Sequence, residues 1–199
     1  MRDDTIAAFL DQLAARVPAP GGGATAALHA AQAAALLAMV ARYSKGAEME
    51  RITAEADELR RDALALADAD ADAFGAVAAA YALPRGSEEE KQARSAAIAA
   101  GLAGAARPPA DVIRAALLLV GLAEDLLPGG NRNVITDVAA AAAAARAAVV
   151  TSQLNIEVNL RGIKDQAVRD ELTATAAMAD QIAERADQIV TVIRTELRR

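Results

Sequence analysis

The 199-residue chain has no cysteine and no tryptophan, a single histidine, two Phe and two Tyr. The missing cysteines exclude disulfides, Cys-ligated zinc and thiol chemistry. One histidine, His29, leaves no His-rich metal centre, because structural zinc takes about four N or S ligands and catalytic zinc about three from the protein. A net charge of −6 with 2% aromatic residues argues against nucleic acid as a partner, which calls for a basic face and stacking rings. Met1-Arg2-Asp3-Asp4 is not a basic stretch leading into an apolar run, so no signal peptide is expected, and the cytoplasm is the expected compartment. The longest apolar run, Ala24 to Ala41, contains Thr25, His29 and Gln32 and ends on Arg42. A membrane span needs about 20 mostly apolar residues, so this run is expected to be a buried helix of a soluble protein with no membrane partner.

What is abundant is alanine, more than a quarter of the chain. Alanine is the strongest helix former, and strands favour the β-branched and aromatic types that are sparse here. Pro and Gly punctuation divides the sequence into helices at about 4–15, 24–42 and 48–82, one starting at Ser87, and others at about 109–127, 134–160 and 167–197. Asp4 is the expected cap of the first, and Ser87 with Glu90 three residues later is a capping box. Short connections favour antiparallel neighbours. The expectation is a single all-α domain over 1–199, an antiparallel helical bundle. Its small side chains bury little area each, so a partner subunit is expected to add burial in a homodimer.

Polar residues interrupt this pattern at a few places. In the third helix Asp68 and Asp72 share one face at i and i+4, whereas Asp70 falls in line with Leu59, Ala63, Leu66, Phe74, Val77 and Tyr81. A carboxylate in an apolar stripe loses solvation, which raises its pKa and suits it to general acid or base work. A partner Arg across a helix contact, or a place at the stripe edge, is the structural alternative. Pro18 to Gly23 opens directly into a helix. Three glycines permit close backbone approach, and free N–H groups at a helix start favour an anionic or acceptor-rich ligand; a tight turn for helix packing explains the same residues. Gly129 to Asp137 gathers amides and a carboxylate before another helix, where Thr136 or Asp137 could serve as cap. Asn155 and Asn159 lie at i and i+4 among apolar residues and call for partners, an interhelical hydrogen bond being the simple one. His29 stands among Ala and Leu as a hydrogen-bonded structural imidazole.

Five segments in order, from about Phe9 to Asp165, resemble the cyclodeaminase/cyclohydrolase family: Ala19-Pro20-Gly21-Gly22-Gly23-Ala24; Asp68 through Phe74; Leu83-Pro84 with Glu88-Glu89-Glu90-Lys91 and Arg94; Gly130-Asn131 with Asp137; and Leu154-Asn155 through Asn159-Leu160, ending near Ile163-Lys164-Asp165. The resemblance implies an all-helical homodimer that binds a tetrahydrofolate derivative in a groove at the subunit interface. It puts the catalytic carboxylate on Asp70, with Asp137 as a possible second acid. It lines the folate site with Gly21, Gly22, Gly23, Asn131 and Asp137, and makes Asn155 a further expected contact. Lys45 stands where relatives carry a Lys/Arg-rich stretch, and with Arg42 and Arg85 it is a candidate for holding the anionic glutamate tail. The implied chemistry opens or closes the 5,10-methenyl bridge of tetrahydrofolate, as a methenyltetrahydrofolate cyclohydrolase or a formimidoyltetrahydrofolate cyclodeaminase. It needs no metal and no cofactor beyond the folate substrate. With no formimidoyltransferase segment in the sequence, the expectation leans to the cyclohydrolase. A non-catalytic folate-binding helical dimer is the alternative.

Overall fold

A computed structural model describes residues 4–198. It contains α1 (Ile6–Ala14), α2 (Gly22–Tyr43), α3 (Ala47–Ala82), α4 (Glu88–Ala105), α5 (Arg107–Gly129), α6 (Ile135–Leu160) and α7 (Gln166–Glu196), with no strand among the described residues. The chain is therefore an all-helical bundle, as composition and punctuation lead one to expect.

Local chemistry explains the boundaries. The Ser87 hydroxyl accepts from the Glu90 N–H at 3.2 Å while the Glu90 carboxylate accepts from the Ser87 N–H at 3.1 Å, a complete capping box. Gly46, at φ +128°, turns the chain into α3 through a conformation that a side chain would strain. Three expectations are corrected. Thr5, not Asp4, caps α1, its hydroxyl accepting from the Ala8 N–H at 3.1 Å. Arg107-Pro108-Pro109 lies inside the first turn of α5, with only Ala106 separating it from α4; proline fits there because early helical N–H groups have no intrahelical acceptor. Neither Thr136 nor Asp137 caps α6, which starts after Val134 with no side-chain cap.

Helix α2 lies at the centre. Ala24, Ala26, Ala27, Ala30, Ala33 and Ala34 are fully buried, because a helix apolar on most sides is covered on most sides, and methyl groups allow close approach. Gly23 meets Asp70 of α3 while Arg42 pairs with Asp57, so α2 and α3 run antiparallel. Gly22 meets Thr151 and Asn155 of α6 while Ser44 meets Asn131, so α2 and α6 do too. Helices α5 and α7, each joined to α6 by a short connection, form a parallel pair, as antiparallel successive neighbours require: Arg114 bonds Glu171 and Glu124 bonds Arg185. Larger side chains, among them Leu37, Ile52, Leu119, Ile156 and Ile189, fill the space the alanines leave. By length and hydropathy α2 and α6 could each cross a membrane; here both pack against other helices of the bundle.

Candidate active site at the start of α2

Asp70 sits where α3 crosses the N-terminus of α2. A Cβ added to Gly23 would overlap the whole Asp70 carboxyl group, so glycine at this position is what lets the carboxylate reach the α2 backbone. Burial pushes the Asp70 pKa up, and the backbone N–H of Ala24 acts in the opposite direction as a donor to the carboxylate. The free N–H groups of a helix start also favour the charged form; desolvation outweighs them. No Arg pairs with Asp70 among the described residues. The result is a partly buried carboxyl group of enhanced proton affinity facing a helix N-terminus.

Asn155 lies on the other side of the same glycines. A Cβ on Gly22 would stand 3.7 Å from Asn155 Nδ2 and 3.8 Å from the Thr151 methyl, ordinary contact distances, so Gly22 is not demanded by packing as Gly23 is. Asn155 and Asn159 do not bond across helices as expected. Each donates Nδ2 at 2.9 Å to the carbonyl four residues back, Thr151 and Asn155 respectively. That local bond was available because both side chains sit within reach of their own helix backbone, and it leaves the Asn155 amide oxygen as an acceptor near Gly22. Thr151 joins this group without having been singled out in the sequence; its i−4 spacing from Asn155 was the available signal.

The remaining candidates lie elsewhere. Asn131 donates Nδ2 to the Tyr43 carbonyl at 2.8 Å, accepts from the Asn133 N–H at 3.0 Å, and donates its own N–H to Ser44 Oγ at 2.8 Å. It thus ties the α5–α6 connection to the C-terminal end of α2, and exposed Lys45 follows that end. The 22 residues of α2 separate the two ends by about 33 Å at 1.5 Å per residue. Asp137 occupies the first turn of α6, at this same far end, without a side-chain hydrogen bond among the described residues. Within one chain, then, the structure brings together Asp70, Gly21, Gly22, Gly23 and Asn155, and does not bring Lys45, Asn131 or Asp137 to them.

The α3 stripe is also uneven: Ala63 and Val77 are buried, but Phe74 and Tyr81 are 46% and 53% exposed. Asp72 is exposed and Asp68 partly buried, so their shared face is only partly solvated. His29 makes no hydrogen bond among the described residues and lines an apolar groove beside α1; the expected bonded imidazole is absent because its surroundings there are mostly aliphatic. No group of three His, Asp or Glu side chains placed to hold a metal occurs among the described residues.

The Formiminotransferase-cyclodeaminase family model matches residues 5–178. The chain belongs to this family. Among its relatives, a methenyltetrahydrofolate cyclohydrolase of Methylorubrum extorquens is 36% identical over 177 residues, 85% of each chain. The formimidoyltransferase-cyclodeaminase of Rattus norvegicus is 30% identical over 85% of this chain, which spans 33% of that longer protein. In three dimensions the chain is similar to a formiminotetrahydrofolate cyclodeaminase of Thermotoga maritima, with a TM-score of 0.84, 31% identity and 98% coverage of both chains. The formiminotransferase-cyclodeaminase match takes in both ends of α2 and therefore all the candidate residues above.

Proposed function

We propose that this member of a family of folate one-carbon enzymes adds water to 5,10-methenyltetrahydrofolate, with Asp70 as the general acid and base. The single observation carrying the mechanism is the Asp70 carboxyl group, desolvated and held against Gly23. As a carboxylate it accepts a proton from water as the water oxygen bonds to the bridge carbon. It then returns that proton to N5 as the carbon–N5 bond breaks. The tetrahedral carbinol loses its O–H proton to solvent, leaving a formyl group on N10. A carboxyl group with raised pKa suits both halves, because as a carboxylate it is a stronger base toward water and as an acid it still gives the proton to N5. The α2 N-terminus and the Asn155 amide would orient the pterin, and Asp137 is left to the fold. The 36% identity to the Methylorubrum cyclohydrolase over 85% of both chains supports this direction. Hydration neither oxidises nor reduces the folate, so the reading calls for no redox cofactor, and with Asp70 moving the proton it takes no metal and no cofactor beyond the substrate. It includes a cytoplasmic enzyme acting as one unit over 1–199, without nucleic acid or membrane.

The same reading sets the site at a subunit contact. Phe74, one turn beyond Asp70, and Leu154 and Val158, flanking Asn155, are 46%, 61% and 63% exposed; apolar side chains grouped in this way suit burial by a second copy in a homodimer. Light scattering should give twice the chain mass, and Phe74→Glu should reduce it to one.

The likeness to the Thermotoga cyclodeaminase favours a second reading, ring closure of 5-formimidoyltetrahydrofolate with loss of ammonia. The methenyl absorbance band separates them. Protein-dependent loss of the band from 5,10-methenyltetrahydrofolate establishes the hydrolytic reaction, and growth of the band from 5-formimidoyltetrahydrofolate establishes the deaminating one. Folate binding without either change would leave a non-catalytic folate-binding dimer.

A further inference from the structure

A groove of about 460 Å³ runs between α1, α2 and α3, starting one turn from Asp70. Its walls are apolar, with Phe9, Leu10, Leu13, Leu28 and Leu64 prominent, and its polar residues are Asp4, Thr5, Thr25, His29, Gln32 and Arg60. Thr25 and Ala67 stand at the Asp70 end, since Thr25 bonds the Gly21 carbonyl at 3.0 Å and Ala67 precedes Asp70 by three residues. Arg60 lies ten residues back along α3, about 15 Å at 1.5 Å per residue. Its Nη2 makes only a long contact, 3.4 Å, to Asp57 Oδ1, while the other Asp57 oxygen is taken by Arg42. Arg60 therefore keeps donors available for another anion.

Resting on the folate reading above, we infer that this groove takes the aminobenzoyl-glutamate part of the substrate, with Arg60 binding a glutamate carboxylate. Sizes agree: the extended distance from N10 to the γ-carboxylate is roughly 13 Å from ordinary bond lengths, and the flexible Arg60 side chain closes the rest. The aliphatic walls suit the flat aminobenzoyl ring. A guanidinium at the far end gives the anionic tail a bidentate partner, offsetting the repulsion from Asp4 and from the net negative chain. Longer glutamate chains would continue toward Arg42, whereas Arg85 lies beyond the opposite end of α3.

The test compares three substrates carrying the methenyl bridge: the tetrahydropteroate without glutamate, the monoglutamate and the triglutamate. Arg60→Ala should raise KM for the two glutamylated substrates about tenfold or more, leave KM for the pteroate and all kcat values within twofold, and unfold at the wild-type temperature. Arg60→Lys should recover part of the loss, and Ala35→Trp, which narrows the groove, should raise KM for all three. Equal KM changes for pteroate and glutamates in Arg60→Ala, or wild-type KM in both Arg60→Ala and Ala35→Trp, would overturn the assignment of the groove. A wild-type protein inert toward all three and toward formimidoyltetrahydrofolate would instead overturn the folate reading itself.

Discussion

The two ends of α2 hold polar residues in opposite ways. At Gly22–Gly23, backbone space is left open so that Asp70 can be packed against a helix start, where burial raises its proton affinity. At Tyr43–Ser44, the Asn131 side chain is held by two hydrogen bonds to backbone groups and its own N–H by the Ser44 hydroxyl, contacts that close the bundle. A polar side chain whose donors and acceptors are already satisfied stabilises the fold, whereas one that is desolvated and incompletely matched is available for chemistry. Both segments place glycines just before a helix, and the one richer in Asn and Asp, Gly129 to Asp137, is the one whose polar groups serve the fold.

The sharpest test of this contrast is Asp70→Asn, which should lower turnover about a hundredfold or more with an unchanged helical circular dichroism spectrum. Near-normal turnover in the folded variant would remove Asp70 from the mechanism. Gly23→Ala forces the carboxyl group away; an overpacking cost of about 1–3 kcal/mol should show in thermal unfolding, and displacement of the base should cost about tenfold or more in turnover. At the far end, Asn131→Ala removes two side-chain hydrogen bonds and should cost about 1–2 kcal/mol of stability while kcat stays within about twofold. A large fall in kcat without loss of stability would break the contrast, and would mean that this end reaches a second copy's Asp70 across a subunit contact.

A smaller effect follows from proton linkage. Burial raises the Asp70 pKa above the ordinary carboxylate value, so the folded state holds that proton more tightly than the unfolded chain. The resulting stability is present below the unfolded pKa and is lost as pH rises through the raised folded one. Asp70→Asn has no such titration, so its melting temperature should gain on the wild type from acid toward neutral pH. Smallest of all is Asp137→Asn: its first-turn position makes the charge worth about 0.3–1 kcal/mol to α6, and turnover should hardly move.

Much of this architecture was legible without coordinates. Helix positions followed from alanine content, from proline and glycine punctuation and from the Ser87–Glu90 box, because these are local effects spanning a few residues. Asp70 stood out for a similar reason, as a charge misplaced on a periodic face. The far cluster did not separate from it in the sequence, since Asn131 and Asp137 have the residue types of a binding site and nothing local reveals that Tyr43 and Ser44 already occupy the Asn131 groups. Nor could a helical wheel show that Phe74 and Tyr81 reach solvent while Val77 is covered, because coverage depends on which face α4 packs against, and its Gly101 lies on Val77.

By itself the sequence determined an all-helical chain with one acid, Asp70, in line with an apolar stripe, and with a glycine-rich helix start, through propensities and periodicities that act within a turn or two. Only the tertiary structure decided that these two meet each other, that Lys45, Asn131 and Asp137 lie about 33 Å away, and that a groove leads from Asp70 to Arg60. Helix pairing made those choices: whether α3 and α6 approach the start or the end of α2 is set by close packing of small side chains between elements far apart in the chain.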